Sequence, residues 1–280
     1  MDEATKNIAD LSRLGDEWEQ NRRRWKRMID RMIPVHVLRP LGFELRMLTV
    51  RARSRNIHRR FANQSDLLVN IGSGTRGQPG WINLDGFAGP NVTCRVDIRR
   101  RLPFADGSVR GIFSEHSFEH LDYIEEVPRF LRECFRVLKP GGVTRIIVPD
   151  AGKYLCAYAH GGWEALAAIR PLYDQRNDHY FHFRYNTPME LINVVFRQGY
   201  EHKFAYDFET LSIVLRRSGF DKVIRQAYGT SIDPALAIDF EERASESLYV
   251  DAIKPDGGLS YGLRRGNRPL QGAEDKSDQP

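Results

Sequence analysis

Residues 69–85, VNIGSGTRGQPGWINLD, decide how this chain is read. A short apolar run over 67–71 breaks into the glycine bend Gly72-Ser73-Gly74, and Asp85 ends the next β-rich run. A strand that feeds a glycine bend is how a nucleotide-type cofactor site begins. In the dinucleotide fingerprint the ribose-binding acid stands about twenty residues further on. Here Asp85 follows Gly74 by only eleven positions. The residues between them, Thr75-Arg76-Gly77-Gln78-Pro79-Gly80, are turn formers and leave no room for a full helix. A diphosphate calls for a helix N-terminus, whose free N–H groups and dipole meet its charge. This stretch suits a ligand that uses glycines and an acid but carries no phosphate.

Outward from it, short β-rich runs alternate with helical ones. Strands are expected over 67–71, 81–84, 92–98, 111–114 and 143–149. A helix is expected over 125–138, with Val127, Phe130, Leu131, Cys134, Phe135 and Leu138 on one face and KPGG (139–142) stopping it. Thr187-Pro188-Met189-Glu190 combines a capping box with proline at the first helical position. Asp207 is expected to cap a helix that ends at Ser218-Gly219, and KVIRQAYG (222–229) and SLYVDAIK (247–254) supply two closing strands. Strands alternating with helices imply a mostly parallel α/β sheet, with ligands outside the carboxyl ends of its strands. The domain plan that follows has a basic helical arm over 1–63, a cofactor domain over 64–254 and a disordered polar tail over 255–280. Residues 151–206, rich in aromatics and histidines, are an insertion or lid within that domain.

An apolar fraction of 41% in 280 residues is enough for a substantial core. No apolar stretch approaches the roughly 20 residues needed to span a bilayer. The acidic N-terminus lacks the signature of a signal peptide. Cys94, Cys134 and Cys156 form no paired or metal-type spacing and are expected to be reduced core residues of a cytoplasmic protein. The net charge of +5 is concentrated in the arm: between Asn21 and Arg60 the acids are Asp30 and Glu44 alone, against a long run of Lys and Arg. Trp18, Trp25, Met28, Ile29, Met32 and Ile33 fall on one helical face there, before Pro34 and Pro40 interrupt it. Three readings of the arm stay open. It is a solvated helix packed on the domain, a peripheral contact with an anionic membrane, or a phosphate-binding surface. No nucleic-acid-binding motif accompanies the charge, which speaks against the last.

The blocks NIGSG…GWINLD, DIRRRLPFADGSVRGIFSEHSFEHL, LRECFRVLKPGGVTRIIVPD, YDFETLSIVLRRSGFDKV and SLYVDAIK, in this order, resemble class I S-adenosylmethionine-dependent methyltransferases of the type 11 branch over roughly half the chain. The resemblance implies a Rossmann-like, mostly parallel seven-stranded sheet with a shortened first crossover, a helical N-terminal arm and an insertion after strand 5. It also implies an enzyme with S-adenosyl-L-methionine as cofactor. That cofactor has no phosphate but carries a ribose diol, an adenine and a zwitterionic tail beside a sulfonium, which suits the short glycine-to-acid spacing.

The resemblance implies that Gly72, Ser73 and Gly74 meet the methionyl part, Asp85 the ribose, Asp97 the adenine amino group and Ile98 the ring. Ser114, Glu115 and His116 would then lie beside the transferable methyl. Asn70 stands where the family often has an acid and would hydrogen-bond the ammonium without charge. His116 is the expected general base, if one is used; Glu119 and His120 are expected to be structural. His179, Tyr180, His182 and Tyr185 are candidate acceptor contacts, pointing to a small-molecule, saccharide or lipid-linked glycan acceptor methylated on oxygen or nitrogen. The histidine spacings match no zinc template, so no metal is expected. The alternative is a non-catalytic binding or assembly protein that keeps the fold.

Overall fold

Leu67–Ile71 (β1) reads LLVNI, and its inner residues Val69, Asn70 and Ile71 are buried, as befits a central strand covered on both faces. It lies between Ile82–Asp85 (β2) and Val109–Glu115 (β4), parallel to both, with Ile71 abreast of Leu84 and Ser114. This computed structural model describes residues 35–170 and 184–256. Cys94–Arg95 (β3), Leu138–Pro149 (β5), Lys222–Gln226 (β6) and Ser247–Ile253 (β7) complete a seven-stranded sheet ordered β3-β2-β1-β4-β5-β7-β6. Only β7 runs antiparallel to its neighbours. The strand order reverses between β1 and β4, so the crevice of the fold opens at their carboxyl ends.

The shortened crossover expected between β1 and β2 is present, and the economy goes further. No helix intervenes between β2 and β3 or between β3 and β4 either. Glu126–Val137 (α3) is the crossover between β4 and β5, burying Val127, Phe130, Leu131, Cys134 and Val137. Phe208–Arg217 (α6), capped by Asp207 accepting from the Thr210 amide at 2.8 Å, packs against the same core. The other face of the sheet is closed by Leu236 and Ile238 over Phe113, Val143, Ile147 and Tyr249. Side chains along β7 alternate between these two cores, the period of a strand buried on both sides.

The structure departs from several expected boundaries. The third strand shrinks from 92–98 to two residues. The fifth begins at Leu138 rather than 143, because Leu138 pairs with Val109 before the Lys139–Gly142 stretch bulges with Gly141 at φ 69°. Pro40 does not interrupt the arm: Val35–Arg53 (α1) runs through it, forgoing the one backbone bond that a proline nitrogen cannot donate. Residues 1–34, with Trp18 and Trp25, and the tail from 257 lie outside the described residues. After α1 comes the single turn His58–Phe61 (α2). Cys156 is exposed, whereas Cys94 and Cys134 are buried as expected. It sits on Ala151–Ile169 (α4), whose inner face is used by Tyr154 and Leu166. That helix and Pro188–Arg197 (α5) form a second small core. Thr187 accepts from the Glu190 amide at 3.2 Å, while the Glu190 carboxylate reaches back to the Asn186 amide at 2.6 Å.

Candidate functional site

At the end of β1 the chain turns through Gly72 (φ 73°) and Gly74 (φ 52°), conformations that glycine adopts without strain. The Gly72 and Ser73 amides both donate to the Leu84 carbonyl, tying the bend to β2. A side chain at Gly72 would overlap Ser117, which follows β4, so the glycine also permits the close approach of two strand ends. Outside Gly74 there is open space. Asp85 faces this bend: one carboxylate oxygen accepts from the Gly74 amide at 2.9 Å and the other from the Phe87 amide at 2.7 Å. Asn70, buried beneath, donates to the Arg76 carbonyl at 3.4 Å.

Three side-chain atoms at these strand ends are buried without a partner: Ser73 Oγ, Ser114 Oγ and Glu115 Oε2. Buried polar groups are nearly always satisfied, so each of these orphans is a candidate contact for a polar ligand. The other Glu115 oxygen accepts from the Phe240 amide at 3.3 Å. Burial pushes the Glu115 carboxyl up to about 7 against the pull of that amide. The segment around Glu241–Arg243 lies over the bend, with Arg76 stacked on Phe240 at 4.0 Å and paired to Glu242 at 2.8 Å. It is anchored by Arg145 on β5, fully buried, which grips Asp239 with two bonds and Asp251 at 3.0 Å.

A profile described as "Methyltransferase domain" matches residues 83–146, the stretch from β2 through β5. A probable S-adenosylmethionine-dependent methyltransferase of Mycolicibacterium smegmatis (strain ATCC 700084 / mc(2)155) is 38% identical over 60 residues, which are 20% of this chain and 22% of that protein. The chain thus spans about a fifth of the curated relative it matches. Among solved structures, a methyltransferase from Methanosarcina mazei aligns at 13% identity over 71% of this chain and 97% of its own, with a TM-score of 0.38. A phosphoethanolamine N-methyltransferase from Haemonchus contortus aligns at 11% identity over 73% and 52%, with a TM-score of 0.37.

Two expected roles do not fit the geometry. Asp97, just beyond β3, was expected to face an adenine. Its carboxylate instead receives Arg99 through the backbone amide, Nε and Nη2, and Arg51 of α1 through Nε at 2.8 Å. Four donors exhaust the roughly four lone-pair sites of a carboxylate, leaving none for adenine. Burial raises the Asp97 pKa, but the hydrogen bonds from Arg99 and Arg51 outweigh it and hold the group below its usual range. Ile98 beside it packs on the main core.

His116 was the expected base. It sits at φ 48°, a strained conformation for a non-glycine residue, with Nε2 2.9 Å from Ser247 Oγ and Nδ1 receiving Arg243 at 2.5 Å. Burial and then the Arg243 charge hold its pKa well below the ordinary value. An imidazole whose acceptor nitrogen is taken by a guanidinium has no lone pair for an acceptor's proton, and the general-base role fails for that reason.

Tyr185, expected to touch the acceptor, is fully buried in the second core instead. His179, Tyr180 and His182 lie outside the described residues. Glu115 and the Arg145 anchor are what sequence reasoning undervalued: the first was read as a contact only, and the second carried no local signal.

The Arg51–Asp97 contact makes a measurable difference. A carboxylate whose folded pKa is depressed contributes stability above its unfolded pKa of about 3.9, lost as pH falls through the folded value. Arg51→Ala should therefore lower unfolding free energy by about 1–2 kcal/mol at pH 7. It should also flatten the decline expected of the wild type from pH 5 to pH 2. Urea unfolding at several pH values checks both; parallel pH profiles would remove Arg51 as a cause.

Proposed function

We propose that the protein is an S-adenosylmethionine-dependent methyltransferase that methylates an oxygen or nitrogen of a saccharide or lipid-linked glycan. What carries this is a glycine bend that an acid faces with no crossover helix, together with unpartnered buried oxygens of Ser73 in the bend and of Ser114 and Glu115 at the end of the neighbouring β4. The donors and acceptors suit a zwitterionic methionine tail, and Asp85 keeps lone pairs for a ribose diol. Asn70, Gly72, Ser73, Gly74 and Asp85 hold the cofactor, with Ser114 and Glu115 beside the reacting end. The arm covers the opposite side of Asp85, where Met47 of α1 packs against Gly86.

When bound, the cofactor supplies an electrophilic methyl on a sulfonium. The chain's own part is to hold the acceptor in line, which accounts for most of the rate in such transfers. Glu115, near neutrality with one free oxygen, takes the proton that an oxygen acceptor releases. A lipid-linked acceptor is favoured over a free sugar by the exposed apolar stripe of Val37, Leu41, Leu45 and Leu48 along basic α1. Among the described residues no helix is long and apolar enough to cross a membrane. The arm would therefore meet such an acceptor at the surface of a bilayer, from the cytoplasmic side.

Incubation of the protein with methyl-labelled S-adenosylmethionine and a cell extract tests this. Label is expected in the organic-extractable glycan fraction, released as methylated sugar on hydrolysis. Label in nucleic acid or protein would replace the acceptor class, and cofactor binding without transfer would favour a non-catalytic assembly role.

A further inference from the structure

Sequence spacing gives no metal template, yet the fold brings together three ligating side chains that the chain keeps far apart. Glu119 and His120 lie on the 3-10 turn Phe118–His120 after β4, and His202 arrives from the segment after α5. That segment is pinned in place by the Lys203 amide donating to the Glu119 carbonyl at 2.9 Å. One ligand atom from each of the three falls within 4.8 Å of the others. Glu119 is 1% exposed, and neither of its carboxylate oxygens has a hydrogen-bond partner. Two histidine nitrogens flank it, His202 Nε2 at 3.7 Å and His116 Nδ1 at 3.6 Å, too long for hydrogen bonds but close to the spacing of two ligands on one ion.

The His202 imidazole is prepared for that role. His202 Nδ1 lies 2.7 Å from the Val195 carbonyl, so Nδ1 carries the proton and the Nε2 lone pair points toward Glu119. A metal-bound histidine almost always has its second nitrogen fixed in this way. The two rings meet edge to face, centroids 4.8 Å apart.

We propose that Glu119, His120 and His202 form a binding site for a divalent first-row transition-metal ion. Two imidazoles with one carboxylate select such an ion over magnesium or calcium, which prefer all-oxygen shells. An ion here gives the unpartnered Glu119 carboxylate oxygens a partner. It also ties the end of β4 to the segment leading into Tyr206. A small cavity lined by Glu119, His202, Phe204, Tyr206 and Pro149 adjoins the site. Three protein ligands leave open positions there for water or a substrate oxygen.

The site stands apart from the cofactor assignment and is tested without it. Metal-stripped full-length protein is titrated with Co2+, read by visible absorption, and with Zn2+, read by calorimetry. One ion per chain is expected, with the intense visible bands of a low-coordinate cobalt site and at least 100-fold weaker binding of Mg2+. His120→Ala and His202→Ala should each weaken Co2+ binding on the order of 100-fold. Metal-free melts report whether each variant folds, and His202→Gln replaces any that does not. Cys156→Ser and His160→Ala, on the exposed face of α4, should leave binding unchanged. Absence of cobalt bands at saturating metal overturns the proposal. So does undiminished binding in folded His120 and His202 variants, or loss of binding with Cys156→Ser.

Discussion

Asp85→Ala is expected to lower the affinity for S-adenosylmethionine and S-adenosylhomocysteine by more than 100-fold while leaving the fold intact. The Asp85 carboxylate has about four lone-pair sites. Two are spent on the Gly74 and Phe87 amides, at 2.9 and 2.7 Å, and two remain for a pair of vicinal hydroxyls. Hydrogen bonds to a charged group contribute about 1.5–3 kcal/mol each. Losing two therefore removes at least about 3 kcal/mol, a factor above 100 in Kd. The substitution also frees the glycine bend, which adds to the loss. Asp85→Asn keeps the shape and one acceptor oxygen, and should fall between the two in isothermal titration. Equal affinity in all three proteins would take the ribose away from Asp85.

Arg145→Met carries the largest expected loss of stability. Arg145 and its partners Asp239 and Asp251 have no exposed side-chain surface. Removing one member of a buried ionic group leaves the others uncompensated, typically at about 3–5 kcal/mol. For a domain of this size that corresponds to a fall in Tm on the order of 10 °C. The loss has a local consequence as well. Asp239 anchors the segment whose Phe240 amide meets Glu115 and whose Arg243 meets His116, so cofactor affinity should fall together with Tm. Neutralising both acids in the same chain, with Asp239→Asn and Asp251→Asn added, should recover part of the stability. A Tm for Arg145→Met within a degree or two of wild type would mean that the triad is not what holds the segment.

Much of the scaffold was legible because its signals are local. The run 67–71 ends in glycines and is a strand. The apolar face of the helix after β4 is its buried face, and Asp207 and Thr187 cap the helices expected of them. Turn residues between Gly74 and Asp85 correctly forbade a helix, though nothing local said that the next two crossovers would also lack one. What escaped depends on partners distant in sequence. Asp97 was read as a ligand-facing acid because its position suited one, but Arg51 of the arm and its own neighbour Arg99 claim it first. His116 resembled a free base until Arg243 and Ser247 closed on its two nitrogens. The histidine spacings match no metal template for the same reason, since only the fold brings His202 to Glu119 and His120. Tyr185 belonged to an aromatic run that suggested an acceptor surface, and the pairing of α4 with α5 turned it inward.

The central claim, that the bend between β1 and β2 holds a sulfonium nucleoside and not a diphosphate, is tested most directly by calorimetric titration of the wild-type protein. S-Adenosylmethionine and S-adenosylhomocysteine should bind with one site per chain, and NAD should give no heat beyond dilution. Saturable binding of NAD with silence from both sulfur ligands would contradict it.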